Sequence, residues 1–224
     1  MISRPQLSST QSADDSKPPV VYIVDDDESI RLAISDLLRS VGIRVETFAA
    51  TQAFLAFPKC DAPSCLILDV RLRGESGLTF QEEIVKSGLQ IPILFVTAHG
   101  DIEMSVKAMK AGAIDFFPKP FRKQDMLDAV TRALTRDAAR LATEQSNAAL
   151  RASYNSLTPR EREVMTFVVS GLMNKQIAGE MNLQEITVRM HRGQAMRKMA
   201  ARSVADLVRK ADNLGIMPHH MRRS

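Results

Sequence analysis

Residues 65–70 read Cys65-Leu66-Ile67-Leu68-Asp69-Val70, an apolar run that ends on a single acid. An unbroken run of this length, rather than an alternating one, is the pattern of a strand buried on both faces. Further short strand-like runs lie upstream as VVYIV (20–24) and VETF (45–48), and downstream as PILFVT (92–97) and DFF (115–117). Stretches of helical period separate them, near residues 29–41, 78–87, 101–111 and 123–134. Short buried strands alternating with amphipathic helices predict five strand–helix units around one parallel sheet.

That pattern predicts an α/β flavodoxin-like (βα)5 domain over residues 19–136, whose ligands bind at the C-terminal ends of the strands. The polar residues 1–18 contain no apolar core of a signal peptide and are expected to be a disordered tail. No run reaches the ~20 apolar residues needed to span a bilayer, so a cytoplasmic protein with no membrane partner is expected. Of the two cysteines, Cys65 opens the apolar run and reads as a small buried hydrophobe; Cys60 reads as a loop thiol, and no second Cys/His pair completes a metal site.

Beyond residue 136 the text changes. DAARLATEQSNAALRASYNS (137–156) is Ala-rich and polar; residues 137–155 read as a linker that either continues the preceding helix or is partly flexible. Residues 156–215 carry no strand signal. Thr158-Pro159-Arg160-Glu161 forms a capping box with proline at the first helical position. Gly171 ends that helix, Asn174 is placed to cap a second, and Asn182 fits a left-handed stop. A third helix covers roughly 185–199, and a fourth starts at Ser203 with Asp206 as a second capping box. This predicts an all-α four-helix domain, followed by a tail at 216–224 that holds His219 and His220. Residues 1–150 hold 17 Lys/Arg and 20 Asp/Glu, a net −3, whereas residues 151–224 hold 13 and 6, a net +7. A polyanion partner is therefore expected for the second domain alone.

Chemistry concentrates where the strands end. Asp25-Asp26-Asp27 follows VVYIV, Asp69 ends CLILD, Thr97 ends PILFVT, and Lys119-Pro120 follows DFF. Singly, each reads as a loop acid, a helix cap or a strand-end residue. At the ends of different strands of one parallel sheet, they form an oxygen cage suited to Mg²⁺ with a lysine to balance its charge. An aspartate-and-Mg²⁺ enzyme, a haloacid-dehalogenase-like phosphatase, needs Asp-x-Asp-x-Thr/Val after its first strand. Asp25-Asp26-Asp27-Glu28-Ser29 fails that pattern at Ser29.

Through VDDD, LILDVRLRGESG and TAHGDIEMSVKAMKAGAIDFFPKPF, the front half resembles the receiver domains of two-component response regulators. The resemblance implies Asp69 as phosphoacceptor and Asp25, Asp26, Asp69 and the Arg71 backbone carbonyl as Mg²⁺ ligands. Lys119 would contact the phosphoryl oxygens across a cis bond to Pro120, Thr97 would be the switch hydroxyl, and Phe116 the aromatic that moves with it. Val106 and Lys110 would lie in a phosphorylation-dependent homodimer surface. Leu72-Arg73 stands where relatives often carry Met-Pro, which predicts a looser loop; the side chain of Arg71 is left free to tune phosphorylation rates.

From residues alone, the back half is open between a helix-turn-helix and an interaction module with a solvated basic face. Arg189, Arg192, Arg197 and Lys198 lie on the third helix and Lys175 starts the second, a placement that suits phosphates and base edges. LTPREREVMTFVVSGLMNKQIAGEMNLQEITVRMHRGQAMRKMAARSVADLVR resembles the LuxR-type output domain, and with the receiver it looks like the FixJ-type branch of the NarL/LuxR-output family. That likeness implies promoter contacts by Lys175, Thr187, Arg189, Met190, Arg192, Gly193 and Lys198, with Gly193 too short to reach a base. The stripe Val204, Leu207, Val208 and Ala211 reads as core and, by resemblance, in part as a dimer contact. The implied partners are a sensor histidine kinase, promoter DNA and RNA polymerase; the implied function is a phosphorylation-activated transcriptional regulator. The alternative is a DNA-binding regulator that ignores phosphorylation.

Overall fold

The structure, a computed structural model, describes residues 17–98 and 102–216. It divides into two compact units between Leu141 and Ala142. The first unit is built on strands β1 (Val20–Val24), β2 (Arg44–Phe48), β3 (Ser64–Asp69), β6 (Ile93–Thr97) and β7 (Asp115–Pro118), all parallel, in the order β2-β1-β3-β6-β7. A short antiparallel pair, β4 (Arg71–Leu72) and β5 (Glu75–Ser76), follows β3. Helices α1 (Glu28–Arg39), α2 (Thr51–Ala56), α3 (Gly77–Lys86), α4 (Ile102–Lys110) and the part of α5 (Lys123–Asn155) up to Leu141 complete it.

Successive strand residues point to opposite faces, and here both faces are covered. Val21, Ile23, Cys65, Ile67, Leu94 and Val96 pack with Ile34 and Leu38 of α1 and with Met126, Ala129, Val130 and Ala133 of α5. Val20, Tyr22, Val24, Leu66, Leu68 and Phe95 pack with Phe54 of α2, Phe80 and Ile84 of α3 and Ala108 of α4. This is why the sequences of β1, β3 and β6 show no alternation. Cys65 is wholly buried, and burial pushes its thiol far above the ordinary cysteine value, so it behaves as a hydrophobe.

Three elements differ from the sequence expectation. The helix expected near 123–134 runs on to Asn155, so residues 137–155 are helical throughout. Its Ala, Leu, Arg and Glu content favours that state, and it is pinned: the fully buried Asp137 carboxylate accepts from the Ser64 N–H (2.8 Å) and from Arg140 Nε (2.8 Å). The short α2 has no side-chain cap and no long period to announce it. The segment after β3, read as a loop, contains the β4–β5 pair, paired Arg71 to Ser76 and Leu72 to Glu75.

The second unit contains α6 (Pro159–Val169), α7 (Asn174–Met181), α8 (Glu185–Lys198) and α9 (Val204–Asn213). Both bonds of the Thr158/Glu161 capping box form, at 2.8 and 3.3 Å, and Asn182 takes the left-handed stop at φ 52°. Val164, Met165, Val168, Ile177, Val188, Ala195, Met199, Leu207 and Ala211 meet in one core, onto which Leu150 and Tyr154 of α5 pack. Two expected caps are corrected. Met173 precedes α7, and its N–H is held by Gln176 (2.8 Å), while the Asn174 side chain accepts from Arg192 of α8 (2.7 Å). Ser203 caps Asp206 N–H, yet Asp206 reaches back to the Arg202 N–H rather than completing a box with Ser203. The expected tails lie outside the described residues, apart from Lys17, Pro18 and Ile216. Among the described residues no helix is long and apolar enough to cross a membrane.

Candidate functional site

The strand ends gather the acids as the parallel topology requires. Adjacent β1 and β3 place Asp25 and Asp26 beside Asp69, and one carboxylate oxygen from each lies within 4.8 Å of the others. Asp25 is 2% and Asp69 7% exposed. From the far side of the sheet, Lys119 directs its ammonium to Asp25 Oδ2 (2.7 Å) and Asp69 Oδ2 (3.3 Å). Its own N–H donates to the Thr97 carbonyl (2.7 Å), and the Lys119–Pro120 bond is cis. Asp27 faces away, capping α1 through the Ser29 N–H (2.8 Å).

Electrostatics leave Asp69 poised. Burial, then the Asp25 carboxylate, push its carboxyl above the ordinary aspartate value, against the pull of the Arg71 N–H and Lys119. Burial alone would lower the Lys119 ammonium, but Asp25 and then Asp69 prevail and hold it above the ordinary lysine value. The lysine thus stays charged between two carboxylates that would otherwise repel each other in a partly desolvated site.

The donor set fits a hard dication. Octahedral Mg²⁺ with oxygens at ~2.1 Å holds neighbouring ligands ~3 Å and opposed ligands ~4.2 Å apart, so carboxylates within 4.8 Å need little movement. Receiver domains bind Mg²⁺ at acidic clusters of this kind. Thr97 is fully buried at the end of β6, and Phe116, opposite Phe95 in the β6–β7 register, is half-buried against that ring at 6.4 Å. On α4, Val106 is 44% exposed and Lys110 is also exposed.

Three contributors to the site were given no role by the sequence. Arg73 Nε donates to Asp26 Oδ2 (3.0 Å), so a second cation besides Lys119 meets the cluster. Arg31 Nη1 donates to the Asp25 carbonyl (2.6 Å). Gly77 lies so close to the Asp69 backbone that a Cβ there would stand 2.2 Å from the Asp69 carbonyl oxygen.

In the second unit α7 and α8 form the helix-turn-helix. Lys175, Arg189, Met190, Gly193 and Arg197 are exposed, and Thr187 is half-buried. Arg192 links the two helices through Asn174. The Lys198 ammonium, expected at a DNA contact, binds Glu161 Oε2 (2.7 Å) and the Ser156 carbonyl (3.2 Å) here. Leu207, expected in part at a dimer contact, is 1% exposed in the domain core; Val204 is 36% exposed and Val208 half-buried.

A parallel sheet with a carboxylate–lysine cluster at its strand ends, joined to a helix-turn-helix domain, defines a receiver coupled to a DNA-binding effector. Residues 21–131 match the family described as "Response regulator receiver domain", and residues 155–211 the one described as "Bacterial regulatory proteins, luxR family". Nodulation protein W of Bradyrhizobium diazoefficiens is 48% identical over 92% of this chain and 90% of its own. Transcriptional regulatory protein FixJ of Rhizobium meliloti is 38% identical over 85% and 94%. Among solved structures, the response regulator StyR superposes with a TM-score of 0.81 at 45% identity, over 88% of this chain and 99% of that one. The chain belongs to the response regulators of two-component systems, in the FixJ/LuxR branch, and is a DNA-binding transcriptional regulator. A dehalogenase-like phosphatase is thereby set aside.

Proposed function

We propose that a sensor histidine kinase phosphorylates Asp69 and that the phosphorylated chain dimerises on promoter DNA. The observation that carries this is the placement of the Asp69 carboxylate at the C-terminal end of β3, with Lys119 bridging it to Asp25. An Asp69 oxygen attacks the phosphorus of phosphohistidine; the P–N bond breaks and the imidazole leaves with the bonding electron pair. Asp25, Asp26, Asp69 and the Arg71 carbonyl would hold Mg²⁺, which when bound offsets the charge between an anionic phosphoryl group and an anionic nucleophile. Lys119 then pairs with a phosphoryl oxygen.

The new charge, about −1.5 to −2, draws the Thr97 hydroxyl inward, and Phe116 follows it. Val106 and Lys110 of α4 form the resulting dimer surface, with a smaller contact from Val204 and Val208. Linking two effector domains raises their apparent affinity through effective concentration. Lys175 contacts phosphate, while Thr187, Arg189, Met190 and Gly193 face the bases and Arg192 braces the helices. RNA polymerase is the downstream partner and the cytoplasm the working compartment; the only chemistry is turnover of the chain's own phosphoryl group. Domain limits of 19–136 and 156–215 complete the reading.

Acetyl phosphate with Mg²⁺ should label the native chain at Asp69, detected as an 80 Da adduct on that peptide (about one phosphoryl group), and Asp69→Asn should not label. Labelling of Asp69→Asn at the native rate would refute the acceptor assignment. A native chain that never labels would favour the phosphorylation-independent reading.

A further inference from the structure

The outer stripe of α8 is apolar where a polar face is the ordinary choice. Ile186 is 65% and Met190 56% exposed, and together with Thr187 and Arg189 they line a shallow surface depression. At 100° per residue, Ile186, Met190 and Gly193 fall on one line along the helix, opposite the buried Val188 and Ala195. Gly193 is not required by packing, since a Cβ there would meet nothing within 4 Å. Its effect is to leave the stripe flat, so that another surface can approach the helix closely.

The surroundings say what that surface is. Arg189 lies beside the stripe and Arg197 ends it, both exposed, Lys175 lies in the first turn of the preceding helix, and residues 151–224 carry a net +7. Such a frame draws a polyanion, and a polyanion rarely offers anything to two bare aliphatic side chains. Duplex DNA does, once: in the major groove the only apolar group on a base edge is the C5-methyl of thymine.

We infer that Ile186 and Met190 read thymine methyl groups at two positions of each half-site. This rests on α8 being the groove-reading helix. Four residues advance a helix by ~6 Å, close to two base steps of ~3.4 Å, so the two methyls lie about two steps apart. Ile186 thereby becomes a specificity residue beside Arg189 and Met190.

The test uses the full-length chain, treated with acetyl phosphate and Mg²⁺, and a duplex that it selects from a randomised library. In copies of that duplex, each thymine is replaced in turn by uracil, which removes the methyl and leaves the hydrogen-bonding edge intact. The native chain should lose about fourfold in affinity per contacted methyl, at two positions in each half-site. Ile186→Ala and Met190→Ala, both at exposed helical sites where alanine is well tolerated, should each lose the response at one position and keep it at the other. Uniform binding of every uracil copy by the native chain would overturn the inference and leave DNA binding standing. Failure to select any sequence would overturn both. If the two variants kept native affinity and native uracil responses but lost transcription with RNA polymerase, the stripe would belong to a protein partner and the inference would fall.

Discussion

Gly77→Ala is the change from which most can be learned about the acceptor site. The new Cβ would stand 2.2 Å from the Asp69 carbonyl oxygen and 3.1 Å from both the Asp69 carbonyl carbon and Val70 Cα. A carbon and an oxygen rest ~3.2–3.4 Å apart, so the two backbones must separate by ~1 Å. Neither can yield cheaply. Asp69 ends a central strand, and the Gly77 N–H is tied to the Val70 carbonyl at 2.8 Å as α3 begins. Overpacking of this kind costs about 1–3 kcal/mol; in a domain of this size that lowers Tm by roughly 4–12 °C. The same ~1 Å displacement carries the nucleophile out of line, which is worth about 10²-fold in rate. Thermal unfolding and the time course of labelling by acetyl phosphate measure the two effects separately. Gly74→Ala is the contrast: φ is +87° there but the space is open, so a cost of ~1–2 kcal/mol should come without loss of labelling. Native melting and native labelling in Gly77→Ala would refute the close-approach reasoning.

Arg73→Ala frees Asp26 from a competing cation. Because Arg73 is 88% exposed, such a pair is worth ~0.2–1 kcal/mol, so calorimetric titration should show Mg²⁺ binding up to about fivefold tighter; weaker binding would mean that Arg73 supports the ion rather than competing with it. Ala200 sits in the left-handed region at φ 46°, so Ala200→Gly should stabilise the helical unit by ~1 kcal/mol, seen as a higher Tm in the full chain. The Lys198 ammonium, then the Thr158 N–H, hold the Glu161 carboxyl below its ordinary value. A lowered folded-state pKa gives stability that is present above the unfolded value, ~4.3, and lost as pH falls through the folded one. Melting of the helical unit should therefore drop below about pH 5, and Glu161→Gln should flatten that dependence; an unchanged profile would show that the Lys198–Glu161 tie does not contribute. Lys119→Ala should permit some labelling but separate it from dimerisation, as light scattering with and without acetyl phosphate would show; phosphorylation-dependent dimers in that variant would refute the switch.

What the sequence disclosed follows from the range of the forces involved. Strands buried on both faces print their apolar residues without a gap, so β1, β3 and β6 could be read directly, and the cluster at their ends followed from parallel order. Asn182 and the Thr158/Glu161 box were legible because capping chemistry is local. Arg73 was not, because its partner Asp26 lies 47 positions away and nothing in either neighbourhood marks the pair. Lys198 looked like one cation among several on α8 until Glu161, from another helix, claimed it. Leu207 fitted both a core and a contact by period alone, and only packing decides between them. The extension of α5 past residue 136 was hidden because Ala-rich polar text is equally at home in a helix and in a flexible connector; Asp137, reaching Ser64 across 73 positions, is part of what holds it.

The continuity of α5 bears on how the chain can be dissected. The two family matches stop at residue 131 and resume at 155, both inside this helix. A front fragment cut at 131 would discard Asp137 and strip the Ser64 N–H of its acceptor, loosening the first rung of the strand whose last residue is Asp69. A back fragment begun at 155 would lose Leu150 and Tyr154, which pack onto its core. Sound fragments must therefore each extend into sequence that neither family match includes, the front one keeping Arg140 and the back one starting before Leu150. Loss of function in shorter pieces would report a damaged helix, not the absence of communication between the halves.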